Sequence, residues 1–142
     1  MDFKYQDPYP ILKDDTAYKK LTSDYVKVEQ HGEREILTIH PKGLELLAEE
    51  AMADVSFMLR SSHLESLRRI IDDPEATDND RFVAYNLLQN AAVAVEGALP
   101  SCQDTGTAIV MGKKGENVYT GVEDGEYLSK GIYNTYQKRN LR

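Results

Sequence analysis

The sequence predicts an α+β fold: a helix-rich domain with a small sheet formed from two hairpins. Three observations carry that expectation. Apolar residues recur at helical spacing through most of residues 41–97. Residues 25–39 and 107–120 are richer in β-branched side chains, and each stretch is split by a polar, glycine-containing turn signal. Residues 126–140 then return to helical spacing. At 142 residues, with 41% apolar and 29% charged side chains, the chain suits one domain, residues 1–142. Such a domain buries roughly two-thirds of its unfolded surface and needs no covalent staple.

The elements follow in order. Residues 1–13 are rich in Tyr, Pro and Asp. Pro8 and Pro10 oppose helix there, so an extended strap is expected over residues 1–24, its aromatics Phe3, Tyr5 and Tyr9 needing a surface to pack on. Residues 25–28 and 34–39 read as strands of a hairpin whose loop, 29–33, contains Gly32. Pro41 suits a first helical turn, where its missing N–H has no partner to lose. Leu44, Leu47, Ala48, Ala51, Met52, Val55 and Leu59 continue that helix to about residue 59. A second helix starts at Ser61 or Ser62, where Ser62 and Glu65 have capping-box spacing, and stops at Asp72-Asp73-Pro74. A third begins near Thr77 with Asp78 and Asp80 in its first turn, favoured by the helix dipole, and ends by Gly97. Residues 99–106 form a loop. Residues 107–111 and 117–120 flank Gly112-Lys113-Lys114-Gly115 and read as a second hairpin. The last helix is expected over 126–140, with Leu128, Ile132, Thr135 and Tyr136 on one stripe.

Composition narrows the function classes. Twenty-four acids against 17 bases give a formal charge of −7, which repels nucleic acid and anionic membrane. No apolar run approaches the roughly 20 residues that span a bilayer. Asp2, Asp7, Asp14 and Asp15 occupy the region where a leader would carry its apolar core, so no targeting segment is expected and the cytoplasm is the expected compartment. The single cysteine excludes an internal disulfide, and it excludes a metal site built from several cysteines of this chain alone.

That cysteine lies in Leu99-Pro100-Ser101-Cys102-Gln103-Asp104-Thr105-Gly106-Thr107. A lone cysteine is commonly a small buried hydrophobe, but polar neighbours in a loop ahead of a strand favour a binding role. A nucleophilic thiolate needs a histidine base. His31 falls in a hairpin loop, His40 at a helix start and His63 in a first helical turn, and none has a catalytic setting. The remaining reading is a metal or cluster ligand completed by cysteines outside this chain. Asp104 alone would serve to turn the backbone at Thr105-Gly106. Lys113 and Lys114 lack P-loop spacing and read as solvated turn residues. Glu49-Glu50 and Asp72-Asp73 read as solvated surface.

The string from Leu99 to Ile109, with Gly112-Lys113-Lys114-Gly115, closely resembles class I fumarate hydratases, the iron–sulfur fumarases. The resemblance continues through Gly131-Ile132-Tyr133-Asn134-Thr135-Tyr136 and Asn140-Leu141-Arg142. It extends back through Lys13-Asp14-Asp15-Thr16, Leu21-Thr22-Ser23-Asp24-Tyr25-Val26 and Ser56-Phe57-Met58-Leu59-Arg60. It covers nearly the whole chain, and the cysteine string is highly specific.

The resemblance implies the N-terminal domain of a longer enzyme, with the C-terminal domain absent from this chain. The implied reaction is reversible hydration of fumarate to L-malate, a step of the tricarboxylic acid cycle. The implied cofactor is a 4Fe-4S cluster held by three cysteines at the domain junction, of which Cys102 matches the first. Gln103 matches a substrate hydrogen-bonding residue, and Asp104 matches an aspartate that contacts substrate and pairs with a histidine of the other domain in proton transfer. Arg142 matches an arginine that grips a substrate carboxylate. A homodimer is the implied assembly, and one thiolate without the opposite wall implies no activity for the 142 residues alone. Two alternatives stand beside this one: the α chain of an L-tartrate dehydratase, and a stand-alone acidic binding module with a structural cysteine.

Overall fold

A computed structural model describes residues 3–7, 17–102 and 106–141. The fold is α+β. In chain order it comprises strands β1 (Val26–His31) and β2 (Arg34–Ile39), helices α1 (Pro41–Phe57), α2 (Ser61–Asp72) and α3 (Asp78–Ala94), strand β3 (Val118–Tyr119), and helix α4 (Asp124–Arg139).

The first hairpin forms where the pattern places it. β1 and β2 pair antiparallel from Val26 opposite Ile39 to His31 opposite Arg34, leaving Gly32 and Glu33 as the turn. Gly32 has φ +63°, which a side chain resists and glycine adopts freely. The strands therefore reach further than expected and the loop is shorter.

The expected second hairpin does not form. Residues 107–111 belong to no strand, and β3 pairs instead with β2, in parallel, Leu37 opposite Val118 and Thr38 opposite Tyr119. The Leu37 N–H donates to Asn117 O at 2.9 Å. β2 offers a row of backbone groups on the side away from β1, and satisfying them outweighs the local closure that the Gly-Lys-Lys-Gly turn invites. The result is one three-stranded sheet, β1-β2-β3. Lys113 and Lys114 are less free than solvated turn residues: Lys113 reaches Asp7 at 2.7 Å and Lys114 reaches Asp124 at 2.5 Å.

Helix α1 starts on His40, whose Nδ1 accepts from Lys42 N and whose ring stacks on Tyr25. Pro41 follows as the first helical residue. α2 starts at Ser61, as expected, but the capping box expected at Ser62 and Glu65 is absent, because the N-cap is Arg60, two residues before Ser62, with no side-chain cap. A capping box does form on α3. Thr77 Oγ1 accepts from Asp80 N while the Asp80 carboxylate accepts from Thr77 N at 2.9 Å. α4 begins at Asp124, two residues ahead of the expected start, and ends on Asn140 in the left-handed conformation, where Leu141 N donates to Tyr136 O.

Two helix pairs organise the core, α1 with α4 and α2 with α3. α1 and α4 run parallel: Glu45 meets Lys130 and Asn134, Glu49 meets Thr135, and Phe57 meets Arg139. They cross closely because Gly131 has no side chain. A Cβ there would lie 2.2 Å from Glu45 O and 2.9 Å from Glu49 N, inside any allowed contact. Thr135 is buried at the same seam and donates to Glu49 O at 2.8 Å. Leu44, Ala48 and Phe57 of α1, Leu67 of α2, and Ala84 and Ala94 of α3 are the buried apolar residues among those described.

Acidification should loosen this framework. Lys130, then Asn134, holds the Glu45 carboxyl below the usual carboxylate range. Lys114, then Thr120, does the same for Asp124, Arg68 for Asp72, and Thr77 for Asp80. Each group has a lower pKa folded than unfolded, so its contribution is complete above the unfolded value of about 4 and disappears as pH falls through the folded one. The melting temperature should fall steadily below about pH 4. A melting temperature that is flat or rising over that range would show these pairs to be inconsequential.

Candidate functional site

The C-terminal ends of three helices bracket the cysteine loop. Ser56, near the end of α1, is fully buried, and its carbonyl accepts from Ser101 N at 2.8 Å. Asn90, in the last turns of α3, accepts from Cys102 N at 3.0 Å through Oδ1. On the far side of the loop, Tyr136 of α4 donates its hydroxyl to Gly106 O at 3.5 Å. Phe57, buried at the end of α1, carries the Arg139 guanidinium 5.7 Å over its ring. The loop therefore leaves α3, is pinned by consecutive amides to α1 and α3, and returns at α4.

Within this frame Cys102 is exposed and unbonded to another cysteine. The reading of a buried small hydrophobe is thus set aside. Gln103, Asp104 and Arg142 lie outside the described residues. Of the nearest described residues, Cys102 is held by Asn90, and Gly106 and Leu141 by Tyr136. No group of three His, Cys, Asp or Glu side chains among the described residues is placed to hold a metal ion. His40 caps a helix, and nothing brings it to Cys102.

Two further features belong to this end. Ser101 Oγ is buried and has no hydrogen-bond partner among the described residues, a costly condition beside an exposed thiol. Val93, Val95 and Leu99 before the loop and Ile109 and Val110 after it are exposed apolar side chains. Surface of that kind commonly marks a face that another part of a protein covers.

Sequence reasoning missed Asn90, Ser56 and Tyr136. An asparagine inside a helix carries no pattern. The signal that could have been read is its polarity late in an otherwise apolar stretch, Asn90-Ala91-Ala92-Val93-Ala94. Among the described residues no helix is long and apolar enough to cross a membrane.

Comparison with known proteins assigns the class. The family model for fumarate hydratase (Fumerase) matches residues 45–142, and the chain belongs to that family. Relatives resolve the match further. The class I anaerobic fumarate hydratase of Escherichia coli (strain K12) is 53% identical over 140 residues, covering 99% of this chain and 26% of that protein. The class I aerobic fumarate hydratase of Salmonella typhimurium is 51% identical over 140 residues, 99% of this chain and 24% of that protein. The mitochondrial fumarate hydratase 1 of Leishmania major is 52% identical over 130 residues, 90% of this chain and 24% of that protein. The chain thus spans about a quarter of the length of these relatives.

Proposed function

We propose that this chain is the N-terminal domain of a class I fumarate hydratase, a hydro-lyase interconverting fumarate and L-malate. Cys102 would be one of three thiolate ligands to a 4Fe-4S cluster, the other two coming from the C-terminal part. The observation that carries this reading is the Cys102 loop itself: a specific string, presented as an exposed thiol on a backbone pinned to two helices. An exposed, soft sulfur donor on a held loop fits one corner of a shared cluster, and its lone status here fits a site completed from elsewhere. When bound, such a cluster supplies a Lewis-acidic iron toward substrate oxygen and water.

The protein residues have distinct tasks in this reading. Fumarate is a dianion, so its carboxylates need cations and donors. Arg142 supplies a planar fork matched to one carboxylate, which a lysine point charge would not reproduce. Gln103 offers a donor and an acceptor on one amide, which orients the substrate without adding charge. Asp104 contacts the substrate and pairs with a histidine from the C-terminal part, fixing that ring's tautomer so that it can move a proton at the substrate carbon. The exposed apolar side chains flanking the loop support closure by the remaining chain, which would exclude water from the site. The assembly is read as a homodimer. A reducing compartment, the cytoplasm, suits a thiol kept for metal binding, and the reaction belongs to the tricarboxylic acid cycle.

Assays of the full-length protein on fumarate and on L-tartrate test this. Turnover of fumarate by the full-length protein, and none by residues 1–142 alone, is expected. Turnover of tartrate alone would replace the reading with a tartrate dehydratase α chain. Hydration of fumarate by the isolated 142 residues would refute the shared site.

A further inference from the structure

We infer that Asn90 is a positioning residue for Cys102, setting the direction in which the loop presents its sulfur to the cluster. This rests on the reading of Cys102 as a cluster ligand. Four observations support it. The Cys102 amide donates to Asn90 Oδ1 at 3.0 Å, a side-chain contact to the ligand residue's own backbone. The preceding amide, Ser101 N, donates to Ser56 O at 2.8 Å, so two successive peptide units are tied to two different helices. Ser101 is itself buried, which closes off rotation of the chain on that side. Asn90 sits on α3, a regular 17-residue helix with a capping box at its start, and a rigid element makes a precise support.

The chemistry requires such a support. A cysteine side chain has only two torsions between backbone and metal, so the sulfur position follows the Cα–Cβ direction. That direction follows the peptide plane whose N–H is held. With both amides fixed, the sulfur is aimed before the iron arrives and less ordering is lost on binding. Without the Asn90 bond, the Ser101 anchor alone leaves the Cys102 peptide free to turn. Removing a hydrogen-bonding support of this kind typically costs ten- to a hundredfold in metal affinity. The Asn90 oxygen is the acceptor the Cys102 amide uses, and a carboxylate oxygen at the same position can accept the same bond.

The test uses the full-length protein, reconstituted anaerobically with iron and sulfide. Asn90→Leu keeps the volume and removes the acceptor, whereas Asn90→Asp keeps an acceptor oxygen at the same distance from the backbone. Cluster loss is followed after adding an iron chelator, by decay of the sulfur-to-iron absorption and by released iron. Asn90→Leu should release iron roughly tenfold faster, and Asn90→Asp should stay within about twofold of the parent. If Asn90→Leu is not recovered folded, Asn90→Ala, which favours the helix, carries the same expectation.

Parent-like release from Asn90→Leu or Asn90→Ala would overturn the inference. So would equally fast release from Asn90→Asp, because the acceptor would then not be what matters. Cys102→Ser separates this from the underlying reading. A normal cluster in Cys102→Ser refutes the ligand assignment itself. A missing cluster there, with parent-like Asn90 variants, refutes only the positioning role.

Discussion

Cys102→Ser in the full-length protein should abolish fumarate hydration, by roughly a thousandfold or more, which corresponds to about 4 kcal/mol of transition-state stabilisation. A hydroxyl is a harder and far less acidic donor than a thiol, so it does not replace a thiolate at iron. The protein should remain folded. Cys102 is exposed, its hydrogen bond to Asn90 is through the backbone amide, and serine retains that amide. A variant with normal circular dichroism and no hydratase activity is therefore the expected result. A variant retaining more than a tenth of parent activity would remove Cys102 from the site.

The second large effect is structural. Gly131→Ala should destabilise the protein by about 3 kcal/mol, at the upper end of the cost of overpacking. Mid-helix alanine ordinarily gains about 1 kcal/mol over glycine, so the sign of the result is diagnostic. Here the added methyl would meet Glu45 O at 2.2 Å and Ala48 Cβ at 2.8 Å, and backbone cannot swing aside as a side chain can. α1 and α4 must separate, which pulls Thr135 off Glu49 O and strains the Asn134 contact with Glu45. α4 also holds Gly106 through Tyr136, and Arg142 follows it directly. Activity should therefore fall together with stability. The first thermal transition of the full-length variant should drop by roughly 10 °C. A rise would show that the crossing has room to relax and that helix propensity decides.

The parts of this architecture that were legible in the sequence are those governed by near neighbours. α1, α2, α3 and α4 follow from 3.6-residue spacing, and the β1–β2 turn follows from Gly32. β3 falls within the expected strand 117–120, but it pairs with β2 rather than with residues 107–111, and that partner is distant in sequence. Nothing near Val118 announces that Leu37 offers an open edge, whereas the Gly-Lys-Lys-Gly turn invites a local hairpin. Gly131 carries no signal of a helix crossing within its own helix. Its purpose emerges only when α1 is laid against it, although Gly131 and Thr135, four apart, do present two small residues on one face.

The site divides in the same way. Cys102, Gln103, Asp104 and Arg142 were legible as a string matching a family. The residues that hold the loop were not, because Asn90 and Ser56 act through backbone groups of partners remote in sequence. Periodicity also overstated the core. Leu47, Val55 and Phe82 share helical stripes with buried residues yet are exposed, as expected where further chain completes the packing.

Cys102 is proposed as one corner of an iron–sulfur site shared with the rest of the protein. The most direct measurement is iron and acid-labile sulfide bound by the full-length protein after anaerobic reconstitution, parent beside Cys102→Ser. About four of each are expected per parent chain, the content of one such cluster, with a sulfur-to-iron absorption that fumarate perturbs, and loss of all three signals in the variant. Equal iron, sulfide and absorption in the two proteins would contradict it.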